Sequence, residues 1–107
     1  MAEKSTVKEI ELDGYKFTVD TDMLDDVDAF ELIDRIENKG QVVAVVPLLS
    51  FLIGTKGYDD MKAHFAAEDK KEFVAKHPEA TDYKGKFRIS KLSEVYQKII
   101  ENFDPKD

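Results

Sequence analysis

The stretch Val7-Lys8-Glu9-Ile10-Glu11-Leu12-Asp13-Gly14-Tyr15-Lys16-Phe17-Thr18-Val19 decides how the chain begins to fold. Apolar and polar residues alternate on both sides of Asp13-Gly14. That dipeptide suits a two-residue type I′ turn, where both central positions need positive φ. A hairpin closed there pairs Leu12 with Tyr15, Ile10 with Phe17 and Lys8 with Val19. Ile10, Leu12, Tyr15, Phe17 and Val19 then share one face. Glu9, Glu11, Lys16 and Thr18 share the other, with Glu11 opposite Lys16. Two strands alone are marginal in water, so the apolar face needs a cover.

The remaining sequence supplies that cover mostly as helix. Ala29, Leu32, Ile33 and Ile36 recur at helical spacing, with Phe30 on the flank. Asp25, Asp26 and Asp28 suit the first turn of this helix, and Asn38-Lys39-Gly40 ends it. A second helix is expected over Gln41–Ile53, stopping at Gly54. It is apolar nearly all round, which marks a central, buried element. Pro47 either kinks this helix, the option favoured here, or sits at its start after an extended Val42–Val46. A third helix should run from about Thr55 to Ala67 with Tyr58, Met61 and Phe65 inward. Glu68–Lys76 either continues it or forms a short helix of its own, and His77-Pro78 ends that segment. Tyr83–Ile89 alternates again and reads as a third strand or an ordered loop. The last helix carries Leu92, Val95, Tyr96, Ile99, Ile100 and Phe103 as one stripe, with Ser90 as its expected N-cap and Pro105 beyond it. The fold class is α+β and mostly helical: an N-terminal β-hairpin followed by four or five helices. One domain is expected over residues 1–107, with 1–6 disordered, 7–19 the hairpin and 25–104 the helical region.

Composition narrows the functional classes. The chain has 107 residues, 42% of them hydrophobic, enough for a core without staples. Cysteine is absent, so neither a disulfide framework nor a thiolate metal site can form. Met1–Val7 is polar and lacks the apolar centre of a signal peptide, and the apolar run Val42–Ile53 is too short to span a bilayer. A cytoplasmic protein without membrane contact is therefore expected. The net charge is −7, and residues 20–37 hold eight acids against the single base Arg35. Those residues carry the whole of the net charge. Such a chain repels phosphate backbones, so nucleic-acid binding is not expected.

The motifs with chemical meaning fall short of their templates. Asp20, Asp22, Asp28 and Glu31 stand at positions 1, 3, 9 and 12 of a calcium-binding loop. Leu24 and Asp25 occupy positions 5 and 6, where a ligand and a turn-making glycine belong, so helix N-terminal acids explain the run better. Asp60 and His64 lie one helical turn apart, but two ligands do not make a zinc site. His64 and His77 read as surface residues. Gly54-Thr55-Lys56-Gly57 lacks the spacing of a phosphate loop and reads as a helix end followed by a helix start. Lys84, Lys86, Arg88 and Lys91, interleaved with Tyr83 and Phe87, read as a solvated strand face more readily than as a nucleic-acid strip. No nucleophile, nucleotide or metal constellation appears, so no enzyme activity, cofactor or metal is expected.

One order of features runs along most of the chain. Glu11-Leu12-Asp13-Gly14-Tyr15 precedes the acidic Asp20–Asp28 approach to Phe30-Glu31-Leu32-Ile33. Pro47-Leu48-Leu49-Ser50-Phe51-Leu52-Ile53-Gly54 follows, then Gly57-Tyr58, and finally Ile89-Ser90-Lys91-Leu92-Ser93-Glu94-Val95. From about Glu9 to Phe103 this resembles the tail assembly chaperones of long-tailed bacteriophages and prophages. Ala66–Lys86 departs from that likeness, being longer than the short loop it leads one to expect. The resemblance implies a non-enzymatic phage tail assembly chaperone, the short form of a pair whose longer member arises by ribosomal frameshifting. Its implied partners are the tape measure protein, the tail tube protein and that frameshifted form of itself, and a homo-oligomer is left open. It would act in the host cytoplasm and be absent from the mature virion. The family supplies no functional residue that transfers by position. Val45, Leu48, Phe51 and Leu52, on the over-apolar second helix, are the candidate partner contacts, though each singly reads more readily as core. The competing reading is a small acidic adaptor or inhibitor protein that binds a basic host partner through charge.

Overall fold

The computed structural model describes residues 7–102. Strands β1 (Val7–Leu12) and β2 (Tyr15–Asp20) form an antiparallel two-stranded sheet with the register read from the sequence, Leu12 opposite Tyr15 and Glu11 opposite Lys16. Asp13 and Gly14 both take positive φ, 51° and 84°, as a type I′ turn requires. Ile10, Leu12 and Val19 are buried, Tyr15 and Phe17 partly so, and the opposite face is exposed. The expectation for residues 1–6 lies outside the described residues, as do Phe103 and Pro105.

Three helices follow among the described residues, so the fold is mostly helical α+β with three helices there in place of four or five. A 3₁₀ turn over Thr21–Leu24 leads into α1 (Val27–Glu37), and a second over Val42–Ala44 leads into α2 (Val45–Lys76). Helix α3 covers Ile89–Glu101. The count drops because the expected second and third helices, with Glu68–Lys76, join into α2. Val42–Val46 is not extended, and Pro47 causes no kink. Pro47 falls in the first turn of α2, where a missing N–H leaves no bond unmade. The break comes at Gly54, whose φ of 80° and ψ of 160° are not helical. That combination is essentially reserved for glycine.

The sheet is covered as its apolar face demands, by α3 lying against β1 and α2 against β2. Helix α1 packs on α2 and on the 3₁₀ turn before it. Leu48 and Leu49 of α2, Met61 beyond the break, and Val95 and Ile99 of α3 are fully enclosed in one cluster with Ile10 and Val19. Phe65 adds an aromatic layer, its ring 5.4 Å from Tyr15 and 5.6 Å from Phe87. Tyr96 is buried too. Burial, with Glu37 nearby, pushes its phenol up to about 12, so it stays protonated at any ordinary pH. The stretch Val42–Lys76 is long and apolar enough to cross a bilayer by length and composition. However, the apolar part before Gly54, Val45–Ile53, is about 14 Å long as a helix, against a hydrocarbon core of about 30 Å. Its Val45, Leu48, Leu49 and Leu52 fill the core of the fold itself.

The second half of α2 carries the molecule outward. The radius of gyration is 15.8 Å and the long axis 58 Å, where a compact chain of about 100 residues would have a radius near 13 Å. Residues 77–88 return along this half of α2 as an ordered arm; no strand forms at Tyr83–Ile89. Asp69 is its clasp. Its carboxylate accepts from the Tyr83 hydroxyl, from the Lys86 amide at 3.0 Å and from Arg88 Nε at 2.8 Å. Tyr83 also stacks on Phe73, ring centres 4.0 Å apart.

The Arg88 guanidinium, then the Tyr83 hydroxyl, hold the Asp69 carboxyl below the usual carboxylate range. A carboxylate lowered by folding stabilises the fold above its unfolded pKa, and that contribution is lost as pH falls through the folded value. The melting temperature of wild type should therefore exceed that of Asp69→Asn by a constant margin near neutral pH. The margin should close as pH is lowered through the acid range. Parallel curves for the two proteins down to the lowest pH would show that Asp69 is not clasped.

Candidate partner-binding surface

Of the acids read as possible calcium ligands, Asp20 is used as a local cap, and the neighbouring Asp26 acts in the same way. Asp20 accepts from the Asp22 amide and Asp26 from the Asp28 amide, each at 3.0 Å, capping the first 3₁₀ turn and α1. Among the described residues no group of three or more histidine, aspartate or glutamate side chains is placed to hold a metal. Asp60 pairs with Lys56 at 3.0 Å. His64 is not an ordinary surface residue: it is half-buried, its ring 4.6 Å from that of Tyr15. His77 is exposed, as expected.

Two of the four cations considered as a nucleic-acid strip are engaged inside the fold. Arg88 is bound to Asp69. Lys91 pairs with Asp13 and Glu94 and lies over the Phe65 ring, 5.7 Å from its centre, tying the start of α3 to the hairpin turn. Ser90 does not cap α3. The helix begins two residues earlier than a Ser90 cap would set, at Ile89 after an extended Arg88, and has no side-chain cap bond.

Of the four candidate contacts, Val45, Leu48 and Leu52 are buried, while Phe51 reaches solvent with 37% of its surface. Phe51 lies one turn after the exposed Pro47 on α2, and Val43, in the 3₁₀ turn before the helix, is exposed too. Leu52 also borders a shallow hollow of about 400 Å³ between β2 and α2, with Tyr15, Phe17, Ile53 and Gly57. Other large apolar side chains are more exposed than Phe51, Val43 at 74% and Ile89 at 72% among them. On α1, Val27 is 73% and Phe30 70% exposed. Ala29 is buried and Leu32, Ile33 and Ile36 are half-buried on the inner face. Phe30 flanks the apolar stripe of α1 and points away from the core. Spacing carried the signal, because Val27 and Phe30 fall outside the core-facing arc of a helix centred on Leu32 and Ile36. Around them Asp25, Asp26, Asp28 and Glu31 are exposed.

The fold and this surface define a mostly helical α+β domain with apolar side chains displayed among acids. The chain matches no protein-family model, no curated protein and no solved structure.

Proposed function

We propose that this chain is a non-enzymatic chaperone of phage tail assembly. It binds the tape measure protein in the host cytoplasm, keeps it soluble and assists assembly of the tail tube around it. The resemblance in the order of features from Glu9 to Phe103 points to that partner. The observation that carries a binding role is the display of Val27 and Phe30 in solvent on α1. Large apolar side chains held on a rigid helix face gain free energy when a partner covers them. Of the contacts proposed on α2, Phe51 is the one a partner reaches without unfolding the core.

The test is to express the tape measure protein encoded near this gene with and without the chain and to measure its soluble fraction. A rise in the soluble fraction is expected. An unchanged fraction would end the chaperone reading. The acids around Phe30 favour a second reading, a small acidic adaptor or inhibitor of a basic host protein. Its binding should fall away at high salt, whereas burial of apolar surface should persist.

A further inference from the structure

Helix α1 is amphipathic in an unusual way. Its inner face meets the core through Ala29, Leu32, Ile33 and Ile36, and its outer face mixes two large apolar side chains with acids. Residues i and i+4 are neighbours on a helix. Asp26 therefore lies one turn before Phe30, Asp34 one turn after it, and Glu31 one turn after Val27. The N-terminal end is fixed by the Asp26 cap and the C-terminal end by Asn38, whose amide donates to the Asp34 carbonyl. The face is thus presented in one conformation, without an ordering cost at each encounter.

We propose that the outer face of α1, centred on Val27 and Phe30, docks a basic amphipathic helix of a partner protein. Charge selects this occupant. Residues 20–37 carry the full net charge of −7, so a second copy docking through the same face, as in a two-fold dimer, would meet like charge. Anionic lipid and nucleic acid are repelled for the same reason. A helix with an apolar stripe flanked by lysine or arginine satisfies both components. Its stripe covers Phe30 and Val27, and its cations approach the exposed Asp25, Asp28 and Glu31, Asp34 being already paired with Lys39. This inference rests on the reading of the chain as a protein-binding module and names the chemistry of what that module takes.

The experiment uses the full chain, isotope-labelled for amide chemical-shift mapping, with synthetic peptides read by fluorescence anisotropy. The probe carries lysine and leucine at helical spacing. A second peptide has glutamate for every lysine, and a third has the first composition in scrambled order. The lysine–leucine peptide is expected to bind most tightly of the three and to shift amides within 26–35. Val27→Ser with Phe30→Ser should weaken it about tenfold or more. Because both side chains are exposed, the melting temperature of that variant should match wild type, which separates lost binding from lost folding. Asp28→Asn with Glu31→Gln should weaken binding at low salt and flatten its salt dependence. Equal binding by the serine variant, equal binding of the glutamate peptide, or shifts centred on the hollow between β2 and α2 would each overturn the proposal. The two readings fail separately. A serine variant that still solubilises the tape measure protein removes this surface and leaves the chaperone function. Peptide docking on α1 without any effect on the tape measure protein does the reverse.

Discussion

Replacing Leu48 with alanine is expected to lower stability by about 2–5 kcal/mol, the range for emptying a closely packed leucine site. Leu48 lies in the first half of α2 and is fully enclosed within the cluster that includes Ile10, Val19, Val95 and Ile99. Removing its branched end leaves a space bounded by elements that are fixed from several sides. Hairpin and helices cannot all move in to fill it. The substitution also decides between two roles that the sequence leaves open, because Leu48 is among the residues read as partner contacts. Urea denaturation should show an earlier midpoint with an unchanged slope. Phe51→Ala, three residues on and partly in solvent, should cost well under the Leu48 value. A Leu48→Ala protein within about 0.5 kcal/mol of wild type would place Leu48 outside the core.

Gly85→Ala is expected to release the arm from α2. Gly85 has φ of +86°, and a β-carbon there would stand 2.0 Å from the Ala66 carbonyl oxygen and 2.9 Å from its carbon. Both are backbone atoms of a long helix and cannot swing aside as a side-chain tip would. Strain in the backbone conformation alone costs about 1–3 kcal/mol, and the overlap adds to it. The arm can escape by lifting, which breaks the Lys86 amide bond to Asp69 and the Tyr83 stack on Phe73. Hydrogen exchange at Lys86 and proteolysis within 77–88 should accelerate, while the amides of β1 and β2 keep their protection. Unchanged exchange at Lys86 would mean that Gly85 does not approach Ala66.

The contrast between these two sites shows how far local sequence carries. The hairpin was legible to the register, because period-two alternation and Asp13-Gly14 leave little freedom. So were α1 and α3, whose apolar stripes at helical spacing name their buried faces. Helix α2 was harder. A segment apolar nearly all round has no period from which to choose an inner face, so Leu48 and Phe51 looked alike. Gly54 was read as a stop, which it is for helical dihedrals, but the chain resumes helix at once and the two expected helices become one kinked α2. Pro47 misled because a proline in a first turn and one in a helix interior differ only in where the helix begins. Of the arm, an ordered loop over Tyr83–Ile89 is one of the two readings the alternation allows, but its clasp to α2 is not legible. The arm is held by Asp69 to Tyr83, Lys86 and Arg88, at separations of 14 to 19 residues. Alternation in Tyr83–Ile89 arises there because Tyr83, Gly85 and Phe87 are half-buried against α2 and the core while Lys84 and Lys86 are exposed and Arg88 reaches back to Asp69. That pattern is shared by a strand and by an extended segment laid on a helix. The outer face of α1 is legible in part: its charge stands in the sequence, whereas a phenylalanine on the flank of an apolar stripe can lie in or out of the core.

The central claim is that the chain acts by holding another protein. The most direct test is the mass, by light scattering after gel filtration, of what elutes when it is co-expressed with the tape measure protein encoded nearby. A single peak containing both chains, lost or weakened when Val27 and Phe30 are replaced by serine, is the result the account predicts. Elution of this chain at its own mass, with the tape measure protein insoluble or elsewhere in the profile, would contradict it.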